Sequence, residues 1–154
     1  MTENNVIIRL RPHHLIDIFK HSGNGRDLTK PHPYGHAQHL VAEKILNNPD
    51  IEIEFVCEND DICKPCKHRG ADNLCADVLS LLSPPVSKQQ YNDELDKRVF
   101  KLLEIVPGQK MSARGFLEIL LSRISEISPA ATHPRQDEEY TGTGLLNAAK
   151  RFSI

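Results

Sequence analysis

A mainly helical α+β fold with a small two- or three-stranded sheet is predicted by three observations. Two short stretches alternate apolar and polar residues, several others carry apolar residues at helical spacing, and all four cysteines fall in one segment between these regions. The chain has 154 residues, 39% hydrophobic and 26% charged, with a net charge of −2, which suits a single domain over 1–154. Aromatic residues are only 5% and Trp is absent, so the core has to come from Leu, Ile and Val. A chain of this length buries enough apolar surface to fold without disulfides.

In chain order, Val6, Ile8 and Leu10 alternate with Ile7 and Arg9 and predict a strand ending at Pro12. His13 to Lys20 then reads as a helix, with Leu15, Ile18 and Phe19 on one face and Pro12 suited to its first turn. A loop with Gly23, Gly25, Pro31 and Pro33 leads to a helix from about Tyr34 to Asn47, built on Ala37, Leu40, Val41 and Ile45. Ile51, Ile53 and Phe55 alternate with Glu52 and Glu54, a second strand able to pair with the first. After the cysteines, Leu74, Val78, Leu81 and Leu82 form a short amphipathic stretch ending at Pro84 and Pro85. Asn92 or Asp93 is expected to cap a helix with Leu95, Val99, Leu102, Leu103 and Val106, broken by Pro107 and Gly108. Ser112 caps the next, whose wide stripe of Phe116, Leu117, Leu120, Leu121, Ile124 and Ile127 marks it as the most buried. The polar span 128–144, with His133 and Asp137, is expected to be a flexible loop or lid.

A near-neutral balance of 19 basic against 21 acidic side chains argues against a nucleic-acid or membrane partner, because both need clustered Lys and Arg. No run approaches the roughly 18 apolar residues of a membrane span. The polar start, Met1 to Asn5, is unlike a signal peptide, so a cytoplasmic location is expected. No P-loop, dinucleotide fingerprint, nucleophile elbow or helix-turn-helix signature occurs.

The strongest chemical signal is the loop 57–75, which holds Cys57, Cys63, Cys66 and Cys75 at spacings of five, two and eight residues. Thiols confined to one stretch of a cytoplasmic chain point to shared metal ligation, whereas core packing would scatter them. Cys63-Lys-Pro-Cys66 is a metal knuckle, whose two sulfurs converge on one centre. One tight pair with two outliers suits an iron-sulfur cluster at least as well as zinc, which commonly uses two knuckles or a knuckle with paired His. Two disulfides, a structural zinc knuckle and a Cys63–Cys66 redox pair remain open. Lys64, Lys67 and Arg69 favour thiolates, while Asp60 and Asp61 oppose them unless they turn outward or cap the turn before Cys63.

Arg11-Pro12-His13-His14 opens the first helix, where an imidazole can act as base or ligand and Arg11 can hold an anion beside helix N–H groups. Adjacent helical residues diverge by about 100°, so one of the two histidines is expected to face the core and the other a cleft. His36 and His39 share a helix face, but with His32 they read first as a solvated polar face. His68 is expected to donate a hydrogen bond to the cysteine site. Glu52, Glu54, Glu58, Asp60 and Asp61 read as the charged, solvated edge of the second strand.

Arg11-Pro12-His13-His14-Leu15, the run Asp60-Asp61-Ile62-Cys63-Lys64-Pro65-Cys66-Lys67-His68, the distal Cys75 and Leu95-Asp96-Lys97-Arg98-Val99 with Pro107-Gly108 together resemble the family catalogued as domain of unknown function 1284, over roughly Ile8 to Ile127. The resemblance implies an iron-sulfur protein with no established reaction, with Cys57, Cys63, Cys66 and Cys75 as ligands and His13 and His14 as the family's histidine pair. The family pattern carries a cysteine shortly after that pair, where this chain has Asp17; this implies either a lost activity or Asp17 acting as acid or ligand. The expected cofactor is thus an iron-sulfur cluster, 4Fe-4S in preference, serving electron transfer with a redox partner protein or redox chemistry on a small molecule near His13, His14 and Arg11. The alternative is a non-catalytic zinc module for protein or nucleic-acid contact.

Overall fold

Residues 6–80, 83–132 and 138–154 are described by the computed structural model. Strand β1 (Ile7–Leu10) leads straight into helix α1 (Pro12–Gly23), and α2 (Gln38–Asn47) carries the chain back to β2 (Glu52–Phe55). This helical crossover is what lets β1 and β2 pair in parallel, with Ile8 opposite Ile53 and Leu10 opposite Phe55. All four point into the core and are essentially buried. After the cysteine loop come β3 (Val78–Leu79), β4 (Val86–Ser87), α3 (Lys88–Leu103), β5 (Lys110–Ser112), α4 (Ala113–Ser122), α5 (Ile124–Ala130) and α6 (Glu138–Arg151). β5 pairs antiparallel with β2, giving the sheet order β1-β2-β5. The molecule is therefore a helical α+β protein with a small sheet. None of the described helices is long and apolar enough to cross a membrane.

Several boundaries differ from the sequence expectation. The helix expected from Tyr34 begins only at Gln38, because Gly35 (φ +74°) turns the preceding segment, so His36 and His39 do not share a helix face. The stretch from Leu74 is not a helix: Val78–Leu79 forms a two-stranded ribbon with Val86–Ser87, and Leu74 and Val78 are exposed. Leu81 and Leu82 lie outside the described residues. Helix α3 starts earlier than Asn92 because Ser87 caps it, accepting from the Gln90 N–H. Ser112 caps α4 as expected, accepting from the Gly115 N–H at 2.9 Å, but the long stripe breaks at Arg123 into α4 and α5. β2 is the central strand of its sheet, so its glutamates do not guard an edge.

Helix α6 carries residues 138–144 of the span expected as a loop or lid, and 128–130 end α5. Residues 133–137, His133 and Asp137 among them, lie outside the described residues. Thr141, Leu145, Ala148 and Ala149 form the buried face of α6. It packs on α1 at very short range: a Cβ on Gly144 would sit 2.2 Å from the Lys20 carbonyl oxygen, and one on Gly23 1.8 Å from that of Gly144. Only glycine permits that approach.

Candidate metal centre

The site begins where β1 ends. Arg9 N–H donates to the Asp61 carboxylate at 2.9 Å and Arg11 N–H to Asp60 Oδ2 at 2.7 Å, so two acidic side chains take over from strand pairing. The other oxygen of Asp60 accepts from the N–H groups of Ile62 (3.0 Å) and Cys63 (3.2 Å), capping the turn that presents Cys63. Asp60 Oδ2 also takes Nδ1 of His14 at 2.6 Å. Burial works to raise the Asp60 carboxyl, but His14 and these backbone donors outweigh it and hold it at about 2. Burial likewise opposes charge on His14, and Asp60 reverses this, moving the imidazole above its ordinary value.

His13 is held in the same manner by a second buried carboxylate. Its Nδ1 lies 2.8 Å from Asp96 Oδ1, and Asp96 also accepts from the His13 N–H and from Arg11 Nη1 at 2.9 Å. Carboxylates at this charge only accept, so each histidine carries its proton on Nδ1 and turns Nε2 to its other side. The two rings stand 4.4 Å apart, and both line one cleft of about 270 Å³. The expectation that one would face the core is thus corrected: each ring meets its own carboxylate at the cleft wall. Arg11 is corrected too. It is fully buried with its guanidinium committed to Asp93 and Asp96, so it positions the Asp96–His13 pair and is not placed to hold an anion.

The cysteine loop lines the same cleft. Cys66 N–H donates to the Cys63 carbonyl at 3.0 Å, closing the knuckle, and a turn with Gly70 N–H donating to Leu74 C=O reverses the chain. Cys75 N–H is held by Gln89 Oε1 at 2.7 Å. Cys63, Cys66 and Cys75 all line the cleft, and all four cysteines are free thiols. Cys57 is not among the residues that line the cleft: it packs against the hydrophobic core, with its sulfur 3.7 Å from the Asp93 carbonyl oxygen. Burial, reinforced by the Asp60 charge, pushes the Cys63 thiol up to about 12, so a cation is needed to hold it as thiolate.

Two features suit this wall to a soft metal. A ring nitrogen of His14, a carboxylate oxygen of Asp60 and the Cys63 sulfur lie within 4.8 Å of one another. His68 Nε2 is buried at the cleft without a hydrogen-bond partner among the described residues, although its ring packs edge-on to Tyr34 at 4.3 Å. Thiols and imidazoles are the donor types that iron-sulfur clusters and zinc use, and the cleft lining supplies both, with Cys63 the one cysteine in the close group among the described residues.

The remaining histidines are arranged differently. His32 Nδ1 accepts from the Tyr34 N–H and His36 Nδ1 from the Gln38 N–H, which leaves the proton on Nε2 and makes both rings donors, not ligands. Burial, with His32 and His14 nearby, lowers His36 to about 4. His36 lines the cleft; His32 stacks on it at 4.4 Å. Asp17 also lines the cleft and pairs with the buried Lys20 at 3.2 Å. The sequence pattern places Asp96 only in the run Leu95 to Val99 and gives it no role at the site, although a signal exists: it lies with Asn92, Val99 and Leu103 on the buried face of α3, where a carboxylate needs a partner.

No curated protein and no solved structure matches the chain. A family match does extend over residues 34–132, from the cleft-lining Tyr34 through all four cysteines, while the Arg11–His14 segment falls before it. That match covers most of the chain, and the chain accordingly belongs to the family described as Protein of unknown function (DUF1284).

Proposed function

We propose that the protein binds a metal centre in this cleft, an iron-sulfur cluster held by Cys63, Cys66 and Cys75, for redox chemistry on a small molecule or electron transfer. The observation that carries the reading is that three free thiols line the same cleft as two histidines whose Nδ1 atoms are fixed by buried carboxylates, with Cys63, His14 and Asp60 offering ligand atoms within 4.8 Å of one another. The chemistry such a cluster supplies is electron storage or, at an iron lacking a cysteine, Lewis acidity. The chain's own contribution is to orient His13 through Asp96 and to set donors from His36 beside it. A cleft of about 270 Å³ favours a small substrate. The basic residues of the loop are partly engaged, Arg69 with Asn73 and Lys67 over the Tyr34 ring at 5.0 Å, which weakens the nucleic-acid alternative.

Zinc is the second reading, favoured by the mixed nitrogen, oxygen and sulfur group of His14, Asp60 and Cys63. Purification without oxygen, followed by assay of iron, zinc and acid-labile sulfide per chain, separates the two. Matching iron and sulfide with visible absorption bleached by reductant is expected. A colourless protein with zinc alone selects the second reading, and a folded protein free of both metals defeats both.

A further inference from the structure

We propose that His14 is the fourth protein ligand of the centre and that Cys57 is not a ligand. The inference rests on the metal reading above and concerns which side chains complete it. Four cysteines in one segment suggest four equivalent ligands, but the fold separates them by environment. Cys63, Cys66 and Cys75 face the cleft, whereas Cys57, immediately after β2, packs against the core with its sulfur near the Asp93 carbonyl oxygen. The neighbouring Asp93 carboxylate is drawn to Arg11 at 2.8 Å and is thereby committed to a cation of the protein itself.

His14 has the opposite character. It enters the cleft from the first turn of α1, and one of its ring nitrogens lies within 4.8 Å of the Cys63 sulfur. Nδ1 is occupied by Asp60, which places the lone pair of the neutral ring on Nε2, the usual arrangement of a metal-bound imidazole with its carboxylate behind it. Asp60 serves both ligands at once: one oxygen fixes the His14 ring and the other caps the Cys63 turn. A carboxylate that orients a histidine and a cysteine toward one another has a natural role as the outer support of a metal held by both. His13, with Nδ1 on Asp96, is then left free of the metal and facing the same space.

The test compares variants of the full chain purified without oxygen, with iron, sulfide and zinc content, visible spectrum and reduction potential as readouts, and circular dichroism to verify folding. Wild-type metal content and spectrum are expected to survive in Cys57→Ser. Asp60→Asn is expected to weaken metal retention by about 10- to 100-fold, and His14→Ala by at least as much. His14→Cys, which restores a ligand with added negative charge, is expected to recover the metal at a more negative potential than wild type. Should His14→Ala fail to fold, the His14→Cys potential decides. Metal loss in Cys57→Ser, or a His14→Cys protein with wild-type spectrum and potential, overturns the ligand assignment while leaving the metal reading standing. A metal-free wild type overturns the metal reading itself.

Discussion

The helical half around α1 and α6 and the cysteine loop 57–77 are held together by different forces. Leu15, Ile16, Ile18 and Phe19 of α1 are fully buried, and Gly23 and Gly144 bring the two helices into backbone contact. Burial of this kind is non-directional and strong in sum. Between Cys57 and Asp77, by contrast, Ile62 is the only buried apolar side chain, and the loop takes its shape from the bonds of Asn59, Asp60, Arg69 and Asp72 to nearby backbone and side chains. A segment with little apolar burial opens locally at lower cost than the core. The site is therefore a polar scaffold bolted onto an apolar one, and Asp60, which reaches back to Arg11 and His14, is the main bolt.

The comparison can be broken most severely in the core. Phe19→Ala should cost about 3–5 kcal/mol, read as a drop in denaturant midpoint, through lost burial and the cavity left behind. Asp60→Asn should cost less, about 1–3 kcal/mol, because it leaves buried donors short of a charged acceptor. Its effect should also be localised: hydrogen exchange should rise in the loop and at the start of α1 but not in α6. The same carboxylate sets a pH dependence. Its folded value of about 2 lies below the ordinary value of about 3.9 in the unfolded chain, so its contribution is complete above about pH 5 and is lost as pH falls through about 2. Acid titration of stability should therefore show a shallower loss across that window in Asp60→Asn than in wild type.

Ser112→Ala should cost about 1 kcal/mol by removing the cap of α4, and thermal denaturation of the two proteins checks it. Arg9→Ala should have the smallest effect, below about 1 kcal/mol, since its pairs with Glu54 and Glu58 are exposed to solvent. An Arg9 effect as large as that of Asp60→Asn would erase the distinction between buried and exposed polar contacts on which the comparison rests.

Much of the fold could be read from local pattern. The period-2 residues Ile8, Leu10, Ile53 and Phe55 do form the paired strands, and Ser112 does cap its helix. Capping and alternation are decided within a few residues, so sequence suffices for them. Helix α6 escaped because Thr141, Gly142, Thr143 and Gly144 lower helix propensity, and contact with α1 overrides that preference. Ser87 escaped as the α3 cap because Asn92 and Asp93 are equally good capping residues and the choice depends on the β4 strand before it.

The cysteine spacing, the histidine pair and the role of Asp60 as a cap are properties of short segments, and the amino-acid sequence by itself determined them. The tertiary structure alone decided that Cys57 packs against the core while the other three cysteines line the cleft, that both histidines face the cleft, and that Arg11 is buried against Asp93 and Asp96. The reason is physical: each of these outcomes depends on a partner brought from another element, with Asp96 lying 85 positions beyond Arg11 and Asp60 46 beyond His14. Local propensity carries no information about such pairs, because the energy of a buried charge is set by what the fold places beside it.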